Sequence, residues 1–329
     1  MIDSLTIESG AGKTIRSKRD WEEKKGERGM RRDVSFRSKG LCCRGWLYVP
    51  ESLAAGQTAP TVVMAHGFSG VKEMFLAPFA EHFAAAGMVV LVFDYRYLGE
   101  SEGEPRGQIL PLEQQEDYRN AITWVAQQPE VDAERIGLWG TSYSGGHVLH
   151  IGAFDPRVKA VVAQAPAICT WRQVLSMVGR EGLRGLLDFV GADRLMRFET
   201  GAVNYVKVIP TQEEFAALAT PDAIEWFQKA ASTLAPTWRN EVTMESIERL
   251  LEYDPAGAIE LIAPTPVLII AAEQDLLIPI DSVRAAFARA GEPKELLVLP
   301  CRHFDVYATE PFFSRAVTAA TEWFRKHLA

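Results

Sequence analysis

A serine placed two residues beyond an apolar run is the first residue here whose setting suggests chemistry. Residues 135–139 read as a buried strand, and Gly140-Thr141-Ser142-Tyr143-Ser144-Gly145-Gly146 follows at once and leads into a helix. A strand, a sharp turn and a helix in immediate succession lift a hydroxyl above a sheet edge. Small residues are needed there because the helix backbone passes close to the strand. The first-turn amides of the helix favour negative charge developing beside the serine. The string departs from G-x-S-x-G in one place, where Ser144 replaces the second glycine. An S-x-S-x-G reading would make Ser144 the nucleophile. Ser142 is preferred because it sits at the strand end, with Gly140 where a small residue is required.

A serine hydroxyl needs a base, and the base needs a group to orient it. On a strand–turn–helix nucleophile the chain order is serine, acid, histidine. His66 and His82 precede Ser142, and His147 and His150 lie on the helix leaving it, so only His303 and His327 follow. His327 ends an amphipathic helix, where a cation suits the helix dipole. His303 lies in Pro300-Cys301-Arg302-His303-Phe304-Asp305, just past a strand expected at 295–299, at the edge where parallel sheets collect functional groups. His303 is the expected base. Asp275, in the loop after a strand at 267–271, is the expected acid; Glu273 is its nearest competitor, and Asp254 and Asp305 read as turn or surface residues. Two backbone N–H groups should stabilise an oxyanion: that of Tyr143 and, from the turn His66-Gly67-Phe68-Ser69-Gly70, that of Phe68. His66 is read as holding that turn, and Asp94 and Arg96 as organising the next loop by interacting with each other. No metal or organic cofactor is expected, since His147 and His150 at i, i+3 have no visible third ligand.

The elements that must position these groups alternate along the chain. A hairpin about Lys39-Gly40 joins strands at 33–37 and 41–49 at a sheet edge. Strands at 61–65, 89–93, 135–139 and 158–163 alternate with helices at 76–86 and 113–127 and with the helix after Ser142. The alternation resumes with a strand at 267–271, a helix at 281–290, a strand at 295–299 and a terminal amphipathic helix. Continuous apolar strands alternating with amphipathic helices make an α/β protein whose parallel sheet is covered on both faces. Residues 166–264 break the pattern with helical segments at 170–178, 212–218, 221–234 and 244–252 and no expected strand, too long a stretch for a loop. The expected organisation is a flexible extension over 1–30 (with Met30 a second candidate start), a core over 31–168 and 252–329, and a helical cap over 169–251. The cap's Trp171, Met177, Leu186, Leu187, Phe189, Met196, Phe198, Trp226, Phe227 and Trp238 divide between packing and an apolar pocket facing Ser142.

Bulk properties exclude several functions. A net charge of −8 over 329 residues argues against a nucleic-acid partner and against an anionic membrane surface. The longest apolar run, 83–93, falls well short of the ~18 residues a spanning helix needs. The N-terminal residues lack a secretory apolar core, and Cys42, Cys43, Cys169 and Cys301 read as reduced thiols, so the cytoplasm is the expected compartment.

Taken together, the turn at His66 and Gly67, the loop carrying Asp94, Arg96, Gly99 and Ser101, the Ser142 elbow, Asp275 and His303 resemble the α/β-hydrolase superfamily. The resemblance runs from about residue 31 to the C-terminus, apart from the cap. Its most similar branch is dienelactone-hydrolase-like and acetyl-xylan-esterase-like, and Gly140-Thr141-Ser142-Tyr143 is similar to the elbow of the X-prolyl-peptidase relatives. Dienelactone hydrolases proper use cysteine where Ser142 stands. The resemblance implies a mostly parallel sheet with helices on both faces and an inserted helical cap. The expected reaction is hydrolysis of a carboxylic ester, thioester or lactone of a small hydrophobic substrate through an acyl-enzyme. An amidase or peptidase, or a carbon–carbon bond hydrolase, would keep the same three residues. A catalytically idle ligand-binding protein would keep the fold but has no need of all three. The sheet edge and the cap are each suited to a homodimer contact.

Overall fold

Runs of β-branched and apolar residues build the sheet. Val89–Phe93 is buried at every position, as is Val267–Ala272, the pattern of strands covered on both faces. The computed structural model describes residues 30–329, so the extension expected over 1–30 lies, apart from Met30, outside the described residues.

In chain order the elements begin with β1 (Met30–Ser38), β2 (Leu41–Val49), β3 (Ala59–Ala65), α1 (Ala77–Ala85), β4 (Val89–Phe93), α2 (Pro111–Val125), β5 (Val131–Thr141), α3 (Tyr143–Phe154) and β6 (Val158–Gln164). Next come α4 (Thr170–Thr200), β7 (Tyr205–Val206), α5 (Pro221–Thr233), β8 (Val242–Thr243) and α6 (Met244–Leu251). The chain closes with β9 (Val267–Ala272), α7 (Ile280–Arg289), β10 (Lys294–Leu299), α8 (Asp305–Ala308) and α9 (Phe312–His327). The main sheet has the order β1-β2-β4-β3-β5-β6-β9-β10. The hairpin β1–β2 is antiparallel and joins β4 antiparallel, while every pair from β4 to β10 is parallel. Because β3, β5, β9 and β10 run the same way, His66, Ser142, Asp275 and His303 all emerge at one edge.

Aromatic residues fill the layer between the sheet and its helices. Phe79 of α1 lies 4.9 Å from Trp139 and edge-on to Phe313 of α9 at 5.0 Å, and Phe83 meets Phe324 at 5.6 Å. Among the described residues no helix is long and apolar enough to cross a membrane.

Between β6 and β9 the structure departs from the expected pattern. The first helix runs on to Thr200, kinked at Gly179; Gly182, Gly185 and Gly191 depress helix propensity there and mask the second half. Residues 212–218 are not helical: the amides of Ala217 and Leu218 bond instead to the carbonyls of Lys207 and Val208 at 2.9 and 2.7 Å. A two-residue antiparallel pair, β7 with β8, also appears where no strand was expected, too short to leave a periodic trace. This segment is tied to the rest of the protein by buried and part-buried polar contacts. Ser246 Oγ accepts from the Ile109 N–H at 2.7 Å, Gln108 Nε2 donates to Glu245 at 2.9 Å, and Thr237 Oγ1 donates to Glu73 at 2.5 Å. Removing the Ser246 hydroxyl leaves the Ile109 N–H buried without an acceptor. Ser246→Ala is therefore expected to lower stability by about 1–3 kcal/mol in denaturant unfolding; an unchanged unfolding midpoint would mean that this contact does not dock the segment.

Candidate active site

The hinge between β5 and α3 is Ser142 itself, with φ 57° and ψ −118°. A residue with a side chain rarely adopts positive φ, and backbone hydrogen bonds hold it there. The Ser142 N–H donates to Gln164 O at 2.8 Å, and Ser142 O accepts from Ala167 N and Gly146 N at 2.9 and 3.2 Å. A Cβ on Gly140 would lie 2.3 Å from the carbonyl oxygen of Ser144, so no larger residue fits before the turn.

His303 and Asp275 converge on this serine. His303 Nε2 lies 3.1 Å from Ser142 Oγ, and His303 Nδ1 lies 2.6 Å from Asp275 Oδ2. The other carboxylate oxygen of Asp275 accepts from the N–H groups of Leu277 and Ile278, both at 2.8 Å, which fixes its plane. An ionised carboxylate only accepts, so Nδ1 carries the proton and Nε2 is left as the acceptor facing the serine hydroxyl. His303 is buried and Ser142 partly exposed. Of the competing acids, Glu273 is half-exposed beside Arg284, Asp254 is exposed, and Asp305 pairs with Arg302. Only Asp275 meets His303.

Ser144 has a different environment. It is fully buried; Tyr95 donates to its Oγ at 3.1 Å, and Tyr118, whose hydroxyl donates to Trp139 O at 2.7 Å, lies 3.3 Å away. It anchors the first turn of α3 to these two tyrosines, whereas His303 meets the Ser142 hydroxyl. Two tyrosines distant in sequence create that environment, and no local motif announces them.

The turn after β3 lies directly over the serine. A Cβ on Gly67 would come within 2.9 Å of Ser142 Cβ and 3.4 Å of its Oγ. The next ring, Phe68, stands edge-on to Tyr143 at 5.7 Å. The Tyr143 N–H belongs to the first turn of α3, where helix geometry supplies no acceptor. The two amides expected to hold an oxyanion thus belong to residues flanking Ser142.

The turn is held by a charge that sequence reading missed. Lys72 is buried, its Nζ 2.9 Å from Asp94 and 2.6 Å from Glu100, while its backbone N–H donates to Asp94 Oδ1 at 2.6 Å. Asp94 therefore does not pair with Arg96, as expected from sequence; Arg96 bonds Asp117 through Nε at 2.6 Å and its backbone N–H at 3.0 Å. Adjacent positions suggested the wrong partners because the true ones come from elsewhere in the chain, Lys72 from the turn after β3 and Asp117 from α2. His66 is buried with Nδ1 3.0 Å from Gly67 O, and burial lowers its proton affinity, consistent with a neutral ring bracing the turn.

His147 is also buried, between the Tyr253 hydroxyl at 2.7 Å and Gln114 Oε1 at 2.9 Å. Among the described residues no cluster of three or more His, Cys, Asp or Glu is arranged to hold a metal ion.

Over Ser142 lies a pocket of about 420 Å³ including its open mouth, walled by Met74, Leu277, Phe304 and Tyr307 from the sheet side and by Leu218, Trp226 and Phe227 from the segment between β6 and β9. Of the cap's apolar residues expected to divide between packing and the pocket, Trp226 and Phe227 line it. Trp171, Met177, Leu187, Phe189, Met196 and Phe198 are exposed, Phe198 at 88 %; α4 turns them outward.

A family model described as X-Pro dipeptidyl-peptidase (S15 family) matches residues 45–305. The chain is 32% identical over 281 residues to the quorum-quenching protein AidA of Acinetobacter baumannii, covering 85% of this chain and 90% of that protein. It is 33% identical over 315 residues to the thiohydrolase apmlB of Arthrinium phaeospermum, covering 92% and 98% respectively. The crystal structure of the α/β hydrolase GrgF from Penicillium superposes with a TM-score of 0.78 at 26% identity, over 91% of this chain and 99% of that one.

Two expectations follow from the groups around the elbow. Ser144→Ala removes the acceptor for the buried Tyr95 hydroxyl and should cost about 1–3 kcal/mol while leaving fluorophosphonate labelling intact; lost labelling in a folded Ser144→Ala protein would contradict the choice of serine. Burial pushes His147 down to about 3 from an ordinary 6.5. The unfolded chain then takes up this proton first, so the contribution is present above pH 6.5 and is lost as pH falls toward 3. Stability should fall over that window, with a shallower slope in His147→Gln; identical slopes in urea titrations across pH would contradict it.

Proposed function

This chain belongs to the X-Pro dipeptidyl-peptidase (S15) family and is a serine hydrolase of the α/β-hydrolase fold, and on that premise we propose that it cleaves thioesters or esters of small hydrophobic acyl groups through Ser142, His303 and Asp275. The observation that carries this reading is the hydrogen-bonded chain from Ser142 Oγ through both nitrogens of His303 to Asp275 at the floor of an apolar pocket.

In the first step Ser142 Oγ attacks the carbonyl carbon as His303 Nε2 takes its proton, and Asp275 stabilises the imidazolium through Nδ1–H. The amides of Tyr143 and Phe68 receive the oxyanion. Collapse expels the thiolate or alkoxide, which leaves with the proton from His303. Water then attacks the acyl-enzyme, giving a proton to His303, and the acid departs as that proton returns to Ser142. Relatives named thiohydrolases support the thioester as the first choice of bond. The family description favours a second reading, an amide or peptide bond cleaved by the same three residues.

Residues 31–168 and 252–329 are read as the catalytic core and 169–251 as a cap that closes the pocket with Leu218, Trp226 and Phe227. The reading assigns a small-molecule substrate in the cytoplasm, with no nucleic-acid or membrane partner, and leaves the sheet edge and the cap as the two surfaces open to a homodimer contact.

A panel of thioesters, esters and anilides of graded acyl length tests this reading. Turnover should be highest for medium-length thioesters and esters. It should disappear in Ser142→Ala and fall roughly 10³- to 10⁴-fold in Asp275→Asn. Full hydrolysis by Ser142→Ala would sink the proposal, and anilides turned over faster than matched esters would establish the amide reading instead.

A further inference from the structure

His303 lies in the turn between β10 and α8, so strand pairing alone does not set its distance from Ser142. The start of that turn is tied to the acid's loop, where Cys301 O accepts from the Gln274 N–H at 2.9 Å. Its far end is tied to the nucleophile's turn. Tyr307, four residues beyond the histidine, accepts a hydrogen bond from Thr141 Oγ1 at 2.8 Å, and both side chains are buried. Thr141 is the residue before Ser142. Its Oγ1 also accepts from Gln164 Nε2 at 3.3 Å, and Gln164 O receives the Ser142 N–H at 2.8 Å. One hydroxyl on α8 thus reaches the same strand ends that hold Ser142 at positive φ. Among the described residues, two direct hydrogen bonds join residues 300–309 to residues 140–146: this one, and the bond between His303 Nε2 and Ser142 Oγ.

The reaction treats these two bonds differently. In the free enzyme both hold the base beside the serine. Once Ser142 Oγ carries an acyl group it has no proton to donate, and a water must take its place as the donor to Nε2. His303 then keeps its position without the serine's hydrogen bond. Asp275 holds only Nδ1, which sets the tautomer and orientation of the ring. The bond between Tyr307 and Thr141 is untouched by the chemistry. Burial pushes the Tyr307 hydroxyl well above the ordinary tyrosine range, so it stays neutral around pH 7. Its ring packs on Trp226 at 5.0 Å and on Phe304, the residue after His303, at 6.0 Å.

We propose that Tyr307 is a positioning residue for the second half of the reaction: through Thr141 it holds His303 at the elbow while Ser142 is acylated. His303 Nε2 is then in place to take the proton of the attacking water as the water oxygen bonds to the acyl carbon. Reacting groups displaced by about 1 Å can lose on the order of 10²-fold in rate. Acylation is the less sensitive half, because there the serine's own hydrogen bond still holds the base. The inference rests on the acyl-enzyme reading above and adds to it a residue outside the chain of Ser142, His303 and Asp275.

The test follows p-nitrophenyl butanoate by stopped flow, with mass spectrometry of acid-quenched samples to read the acylated fraction of the enzyme. Tyr307→Phe keeps the ring that packs on Trp226 and removes only the hydroxyl. In this variant kcat/KM, which reports acylation, should stay within about threefold of wild type, while the deacylation rate constant falls roughly tenfold or more. The acylated fraction at steady state should rise accordingly. Thr141→Val should reproduce this split, and Thr141→Ser, which keeps a hydroxyl, should restore wild-type behaviour. The double variant Tyr307→Phe with Thr141→Val should lose no more than either single variant, because both remove one bond. Losses that multiply in the double variant would overturn the assignment. So would equal losses in acylation and deacylation with a lowered Tm, which mark a structural residue. A wild type that is never acylated would sink the hydrolase reading and this one with it. An acylated wild type whose split between the two steps is unaltered in Tyr307→Phe would sink the positioning role alone.

Discussion

Ser142 joins β5 to α3 with φ at 57°, a conformation that costs a residue with a side chain of the order of 1–3 kcal/mol. It persists because its surroundings determine it from every side. Parallel pairing of β5 with β6 brings Gln164 opposite Thr141 and sets its carbonyl to receive the Ser142 N–H. The carbonyl of Ser142 in turn fixes Ala167 in the next loop. Gly140 admits α3 against the strand, and Ser144 locks the first helical turn to Tyr95 and Tyr118 beneath it. The strained turn aims the hydroxyl at His303 and leaves the Tyr143 amide facing outward. Relaxing it would displace the Ser142 hydroxyl and the Tyr143 amide together.

Buried charge does the rest of the positioning, and each charge is held differently. Asp275 is saturated by two backbone N–H groups and His303, an arrangement that fixes the imidazole tautomer. Lys72 and Asp94 pair in the interior and connect the turn after β3 to the loop after β4. Such pairs add little net stability because desolvation opposes their attraction; their consequence here is geometric, since the turn they fix lies over Ser142. Arg96 and Asp117 form a second pair of this kind, in which burial pushes the Asp117 carboxyl up to about 6 despite the adjacent guanidinium.

Much of the site was legible in the sequence because its residues sit at the ends of strands. Apolar runs mark where β5, β9 and β10 stop, and in a parallel sheet those stops share an edge, so Ser142, Asp275 and His303 could be brought together by chain order alone. Chain order could not separate Asp275 from Glu273; the backbone donors of Leu277 and Ile278 do that. The partners of Lys72 and Ser144 carried no local signal, since they come from groups far away in the chain. The segment between β6 and β9 was the least legible region. Glycines hid the second half of α4, and amides that pair with Lys207 and Val208 overrode the helical composition of residues 212–218. Of the ten large apolar residues marked there, six, all on α4, are exposed, because their directions depend on how that helix turns.

The proposed reaction requires a covalent bond to one oxygen. The most direct measurement is tandem mass spectrometry of the enzyme quenched during turnover of a slowly deacylating thioester, which locates the acyl group on a single peptide. An adduct of the acyl mass is expected on Ser142, formed at a rate consistent with turnover and absent from Ser142→Ala. An acyl group found on Ser144 or on a cysteine, or turnover with no adduct accumulating under conditions where deacylation limits the rate, would contradict it.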